Sequence, residues 1–472
     1  MVVVAGIAVY GLRPTGPGNC LLLGGSGALR SNLKASSFGA VTEYQLPTPS
    51  RWSNAIAAAP DGSVWFGEQS VPGAGHLYAN GTLVEYPWPS ASRGTSTCGY
   101  RTGIWGVALW NGMVWGTDFD GSALVGLNPA TGSTTVINVS ERAPFPYTLA
   151  TAPDGSLWFT SLSSAPVLGR VSQNLSVATF GVALPKGEVP AQAQFVSATQ
   201  AYFVAIDPAA NSGGVYTFDP QNIAGTINPA RVGSGFELFS PNSVSVSGGK
   251  VWVVQHYPSS VASYDLDSAV WTLYPTSIEN YTTTTLPYFI QANGSKVWFN
   301  EHYGNKIAMI DTLSQTMTEY SEANPPISNG SDIQNDLTVA LAKGGLWFTS
   351  TTGNYVGFVN ATFHPSFAVD ADGGNSSATV LPGHEARFAL TVSGSWTTAL
   401  KVQVSDSEGA TGVPKLITVT TGESTLAPGT GPVSLQVALE TGAALKQGRY
   451  TVAVTVTNGL VYQTAYLFLT VP

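Results

Sequence analysis

Charge is what this chain has least of. Only 10% of its 472 residues are Asp, Glu, Lys or Arg, against about 25% in an ordinary soluble domain. Long runs of Glu, Lys and Ala at helical spacing are absent, which argues against a helical protein. The 19 basic residues are scattered and the net charge is −9, so no footprint for a nucleic-acid backbone exists. Cysteine is nearly absent as well: Cys20 and Cys98 are the only two, and no C-x-x-C occurs. That excludes Cys-based zinc sites and haem attachment. No G-x-S-x-G elbow, H-E-x-x-H, Walker loop or strand-to-helix G-x-G-x-x-G is present, which removes the commonest hydrolase, zincin and nucleotide signatures. Nor is there an apolar run of the roughly 20 residues that a membrane-spanning helix needs.

What remains is rich in Gly, with 52 copies, and in Ser and Thr, with 43% apolar residues. That composition points to a β-rich extracellular or cell-surface protein. In such a chain the cysteine pair reads as one disulfide, Cys20 to Cys98, tying the N-terminal tail to the loop SRGTSTCGY; two unrelated thiols are the competing reading. N-x-Ser/Thr sequons stand at Asn80, Asn138, Asn174, Asn280, Asn293, Asn329, Asn360 and Asn375. Roughly five would arise by chance in so Ser- and Thr-rich a chain, so the excess modestly supports a glycosylated exterior. The N-terminus, MVVVAGIAVYGLRPTGPGNC, lacks the basic start and small-x-small site of a signal peptide. Three readings stay open: the end of a longer anchor helix, a segment resembling the hydrophobic helix of archaeal type IV pilin-like proteins, or a strand donated to a neighbouring subunit.

The organising feature is a repeat. An apolar run, a tight turn often spelled Asp-Gly, an aliphatic residue and an aromatic recur at Trp65, Trp115, Trp158, Tyr202, Trp252, Trp298 and Trp347. The intervals are 50, 43, 44, 50, 46 and 49 residues. Each unit reads as four short strands, A to D, with the aromatic on strand B and a two-residue turn between A and B. About 45 residues holding four strands is a propeller blade. The seventh unit lacks strand D, whereas VTEYQLP, residues 41–47, is a D-like strand with no unit of its own. The expectation is an all-β fold: a seven-bladed β-propeller closed by an N-terminal strand, spanning residues 40–364. Residues 1–39 form a hydrophobic segment and tail, whose GGSGALRSNLKASS stretch reads as linker. From residue 365 to 472 the pattern alternates with period two, which indicates a β-sandwich.

PDGSVWFGE, PDGSLWFTS and VWFNEHYGNKIAMID resemble the repeat of the streptogramin B lyase family, the virginiamycin B lyase-like propellers. LPGHEARFALTVSG and QGRYTVAVTVTNG resemble strand entries of immunoglobulin-like modules in microbial surface proteins. The lyase resemblance implies a propeller and, where activity is present, a histidine base with a glutamate-bound Mg²⁺ that opens a cyclic depsipeptide by elimination.

Blade geometry narrows where such chemistry would lie. Positions just past the strand B aromatic lead towards one rim of a propeller. The third-past positions include Glu68, Asp118 and Glu301, and the fourth-past positions include His256 and His302. Glu301, Glu68 and Asp118 are candidate oxygen ligands for Mg²⁺ or Ca²⁺; His256, His302 and Glu301 are the candidate catalytic residues. The architectural reading competes directly. Trp-Phe-x-Glu belongs to the repeat, the tryptophans fill the space between blades, and Asn305-Lys306 is loop chemistry with Lys306 in solvent. On balance the sequence favours a surface structural or binding protein that needs no cofactor and is anchored or assembled through its ends. Its partners would be other surface proteins, copies of itself or glycans. A Mg²⁺-dependent lyase is the alternative.

Overall fold

The computed structural model describes residues 28–47, 53–68, 73–88, 103–233, 235–256, 258–277, 285–322, 336–351, 353–406 and 417–472. Cys20, Cys98, Asn280, Asn329 and the N-terminal apolar stretch lie outside them. Among the described residues the regular elements are strands, apart from one 3-10 turn at Asp372–Gly374. No helix there is long and apolar enough to cross a membrane. The chain divides into two compact bodies. One is built mainly from residues 42–244 and 334–359, the other mainly from residues 245–333 and 360–472.

In the first body the repeat becomes a succession of antiparallel sheets with strand order D-C-B-A. Ser53–Ala58, Val64–Glu68, Gly73–Leu77 and Thr82–Pro87 form one; Ile104–Trp110, Met113–Asp118, Ala123–Leu127 and Thr134–Asn138 form the next. Strand B explains why the units stack. Its alternate residues face opposite ways, and both ways are buried. Val64 and Phe66 cluster with Trp347 of the seventh unit, while Trp65 clusters with Ile104 and Val107 of the second. Trp115 packs likewise on Leu157 and Phe159, and Trp158 on Phe203. All seven repeat aromatics are at most 4% exposed, as expected for residues that fill the space between blades. Opposite the B-strand phenylalanine, strand C often carries glycine. Phe66 faces Gly75 and Phe159 faces Gly169, and a Cβ at either glycine would meet the ring at 2.1 Å.

Val41–Gln45 joins the sheet of Asp336–Ala342, Gly345–Ser350 and Tyr355–Asn360 as its missing strand D. Leu46 N–H donates to Asn354 O at 3.0 Å, and Asn354 Nδ2 donates back to Leu46 O at 3.2 Å. The closing strand inferred from sequence is therefore present.

Three local expectations are corrected. Leu29–Asn32, read as linker, pairs antiparallel with Thr82–Pro87 and extends the first sheet. Its four residues, Leu-Arg-Ser-Asn, are mostly exposed, as an outer strand allows, and carry no apolar pattern that sequence reading could find. The Pro60-Asp61-Gly62 turn holds three residues rather than two, because Ala59 N–H bonds Ser63 O at 2.8 Å and only Gly62 takes positive φ, at 89°. That is the three-residue hairpin loop with a glycine bulge; Asn111-Gly112, with φ of 52° and 69°, is the expected two-residue form. The fourth unit's strand D is reduced to Ala230–Arg231 and Leu238–Phe239.

The second body holds the fifth and sixth repeat aromatics, Trp252 and Trp298, and the C-terminal strands. The sixth sheet (Pro287–Asn293, Lys296–Glu301, Lys306–Asp311, Thr316–Ser321) does not end at its strand D. Val461–Val471 pairs with Thr316–Ser321 in the register Thr316↔Ala465 to Tyr320↔Val461. The sheet then continues through Gly448–Thr457 and Leu400–Asp406. A second sheet contains Phe367–Ala371, Glu385–Trp396, Val433–Thr441 and Ile417–Thr421. Strand Val433–Thr441 alternates buried and open positions, as a strand covered on one face should. Val461–Val471, by contrast, is buried at all positions but one. Tyr466 and Phe468 enter a core cluster with Trp252, Tyr274, Ile290 and Phe299.

Candidate functional site

The stretch from Glu301 to Lys306 is a tight connection between two strands. Gly304 N–H and Asn305 N–H both donate to Glu301 O, at 2.9 and 3.1 Å, and Asn305 takes a positive φ of 50°. The register sets Glu301 directly across from Lys306. His302 N–H and Tyr303 N–H donate to Leu286 O and Thr285 O, which fixes the connection against the strand before it.

Glu301 and His302 adjoin in sequence but serve different neighbourhoods. Glu301 is fully buried, with Lys306 Nζ 3.0 Å from its Oε2. Lys306, expected in solvent, is 1% exposed; this corrects the loop reading. Its Nζ lies 2.8 Å from Glu319 Oε1 and 2.5 Å from Ser277 Oγ, and 4.6 Å from the centre of the Tyr462 ring. Ser277 Oγ also donates to Glu319 Oε1 at 2.9 Å. One ammonium thus stands between two buried carboxyls. Burial, then the charge of Glu319, holds the Glu301 carboxyl well above its usual range, against the pull of Lys306. Glu319 is also opposed by burial, but the Lys306 charge and hydrogen bonds from Glu301, Lys306 and Ser277 hold it below its usual range. The two carboxyls are thus shifted in opposite directions, which favours a proton on Glu301 over one on Glu319. Neutrality is what a dry site demands, since an unpaired buried charge is far more expensive.

His256 and His302 do come together. Their rings are 6.3 Å apart and nearly parallel, with Tyr288 stacked at 5.7 Å from His256 and 5.0 Å from His302. Each histidine is 4% exposed. Burial, and secondarily the charge of His302, pushes His256 down to about 3, so it is neutral throughout the physiological range.

Glu68 and Asp118 belong to the first body, where both are buried. Asp118 Oδ1 accepts Gly121 N–H at 2.9 Å, and Glu68 Oε2 lies 2.5 Å from where a Cβ of Gly73 would stand. Gly304 makes the same room beside Glu301 Oε2. Other residues at this repeat position act in kind: Ser161 Oγ donates to Pro144 O and Gln255 Nε2 to Ser260 Oγ. The three carboxylates are at most 5% exposed. Among the described residues no group of three or more His, Cys, Asp or Glu side chains is gathered as metal ligands would be. The cation beside Glu301 is the chain's own ammonium.

Sequence reasoning missed Glu319, Ser277 and the burial of Lys306. A signal for Glu319 was present. VTEYQ, LVEYP and MTEYS carry a glutamate at one strand D position, and Glu43, Glu85 and Glu319 are all at most 3% exposed.

Six sequon asparagines lie within the described residues, and all six are exposed. Four also shape turns. Asn80 Oδ1 accepts Thr82 N–H, and Asn138, Asn174 and Asn360 accept Ser140, Ser176 and Thr362 N–H at 2.9 to 3.1 Å.

Solved structures with this fold include a streptogramin B lyase, 18% identical, with a TM-score of 0.53 over 68% of this chain and 97% of the other. A catalytically inactive virginiamycin B lyase from Staphylococcus aureus with quinupristin is 16% identical, with a TM-score of 0.52 over 68% of this chain and 98% of the other. At such identity the likeness establishes the fold alone: a β-propeller of virginiamycin B lyase-like type. No protein-family profile matches the sequence. No curated protein matches it either.

Proposed function

We infer that the protein is an extracellular, cell-surface structural or binding module. In this reading the propeller is a rigid exposed platform. The C-terminal sheets, read from sequence as immunoglobulin-like, serve as its docking element, and the N-terminus anchors or polymerises it. Other surface proteins, copies of itself or glycans are the partners. The observation that carries this reading is the burial of the polar groups a lyase would use. Glu301 is buried against Lys306, His256 is buried and stacked, Glu68 is buried, and Asp118 accepts a backbone N–H of its own strand connection. An elimination base must reach its substrate's proton within hydrogen-bond distance, and side chains 4% exposed or less offer little approach. Exposed sequons are compatible with glycosylation at Asn80, Asn138, Asn174, Asn293, Asn360 and Asn375.

The second reading, a Mg²⁺-dependent streptogramin B lyase-like enzyme, rests on the propeller likeness and on the adjacent His256 and His302 rings. One assay separates the two. Purified protein with and without Mg²⁺ is offered a streptogramin B-type lactone, and no ring-opening is expected. Mg²⁺-dependent turnover that disappears in His256→Ala or His302→Ala would overturn the surface-module reading. For assembly through the N-terminus, deletion of residues 1–19 should abolish higher assemblies and leave a folded protein. Assemblies that persist in light scattering would exclude that route.

A further inference from the structure

Lys306, Glu301 and Glu319 form a buried group whose own chemistry neither reading above requires. Their geometry points to an autocatalytic isopeptide cross-link between the Lys306 side-chain amine and the Glu301 side-chain carboxyl, with Glu319 as the proton carrier. The argument starts from placement. Lys306 and Glu301 are direct cross-strand partners, and Nζ stands 3.0 Å from Glu301 Oε2. That is hydrogen-bond contact between the amine and the carboxyl it would attack at Cδ, with both groups fixed at the base of a hairpin. Glu319 Oε1, at 2.8 Å from Nζ, is placed to take the proton that the ammonium must lose before it can attack. All three side chains are at most 1% exposed, and Tyr462 and Tyr466, both buried, help close the site from solvent. Gly304 leaves the space beside Oε2 empty of side chain.

The chemistry balances without any added reagent. The Lys306 ammonium passes one proton to the Glu319 carboxylate. The free amine adds to Cδ of the protonated Glu301, forming an N–C bond and a tetrahedral centre. A proton moves from nitrogen to the departing hydroxyl, the C–O bond breaks, and one water leaves. The product is a secondary amide beside a protonated Glu319, with no charge left in the core. The starting state keeps an ammonium and a carboxylate out of water, and the desolvation of such a pair is costly. Forming the amide relieves that cost, which favours condensation here although it is unfavourable in bulk water. A buried, desolvated lysine is also the kind that gives up its proton readily.

The test uses the full chain produced in a bacterial cytosol, where glycans do not complicate the mass. The intact protein is expected to weigh one water less than its sequence mass. Trypsin should fail to cut after Lys306, giving a peptide of residues 297–343 that lacks fragment ions between 301 and 306. Lys306→Arg removes the nucleophile but keeps the charge. Glu319→Gln keeps nucleophile and acceptor but removes the carrier. Both are expected at full sequence mass, and Glu319→Gln should be cut after residue 306. An unmodified wild type with normal cleavage after Lys306, once held folded for days, overturns the proposal whether or not the variants fold. So does a lost water that maps to an Asp-Gly step or to Glu319, or a loss of ammonia, which would indicate an asparagine acceptor.

Discussion

The deciding contrast at the residue scale is between adjacent positions. Glu301 and His302 follow one another in sequence, yet the strand carries the carboxyl to Lys306 and Glu319 and the connection carries the imidazole to Tyr288 and His256. The strand ends at Glu301, and the turn that begins at His302 separates them. For the Lys306 cluster before any condensation, in protein whose intact mass equals its sequence mass, Lys306→Met should lower the unfolding free energy by about 3–5 kcal/mol, because a buried carboxylate loses its counter-charge. Denaturant titration reads this directly, and a change below about 1 kcal/mol would mean the ammonium is not what neutralises the site. For His256 the sign follows from its depressed value of about 3 in the folded chain, against the ordinary 6.5. The unfolded chain takes the proton first, so the stability contribution is complete above about pH 6.5 and is lost as pH falls towards 3, by about 1.4 kcal/mol per pH unit. His256→Phe should therefore flatten the acid limb of a stability-against-pH curve. Parallel curves for wild type and variant would count against a buried neutral imidazole. The sequons show the same economy at residue scale. Asx turns favour Asn or Asp followed two residues later by Ser or Thr. Asp61–Ser63 and Asp154–Ser156 make that contact with aspartate, as Asn138–Ser140 does with asparagine. Part of the sequon excess is thus turn chemistry that also reads as an acceptor motif.

Among elements, strand B is the one on which the fold turns. It is apolar on both faces because each face meets a different sheet, which is why its residues read as a continuous run rather than an alternation. Trp115→Ala would open a cavity between units and should cost about 3–5 kcal/mol. Gly75→Val addresses the other side of the same packing. The new side chain must displace the Phe66 ring, which a Cβ would approach to 2.1 Å, at a cost of about 1–3 kcal/mol. Thermal unfolding of the two variants measures both, and a Gly75→Val protein as stable as wild type would show that the ring has room to move. Strand A, strand B and the turn between them were legible in sequence because Asp-Gly and Asn-Gly mark them so clearly. Two outer strands were not. Leu29–Asn32 and Ala230–Arg231 are too short for any periodicity to register, and they exist because a sheet edge is there to receive them.

For the whole molecule, the sixth sheet shows how the C-terminal strands are joined to the repeat. Backbone pairing from Thr316–Ser321 to Val461–Val471 covers what would be an open edge, and Gln463 Nε2 and Tyr466 OH add contacts to Thr318 Oγ1 and Pro275 O at 3.0 and 3.1 Å. Removing residues 459–472 should uncover that edge together with the face that Tyr466 and Phe468 fill. Size-exclusion chromatography is expected to show self-association or loss of soluble protein. A shortened chain that stays monomeric with unchanged melting would mean the two parts are independent. By itself the sequence determined the strand-rich class, the repeat with its turn residues, the buried tryptophans and the closing strand at 41–45. These follow from short-range rules: side-chain alternation, the backbone demands of Gly and Asn, and one recurring spacing. Only the tertiary structure decided that Lys306 is buried between two carboxyls, that His256 and His302 stack across Tyr288, and that the last strand continues the sixth sheet. Each depends on residues that are distant in the chain and meet only when sheets pair and pack. Burial then reverses the usual reading of a charged side chain, from solvated surface to neutralised core.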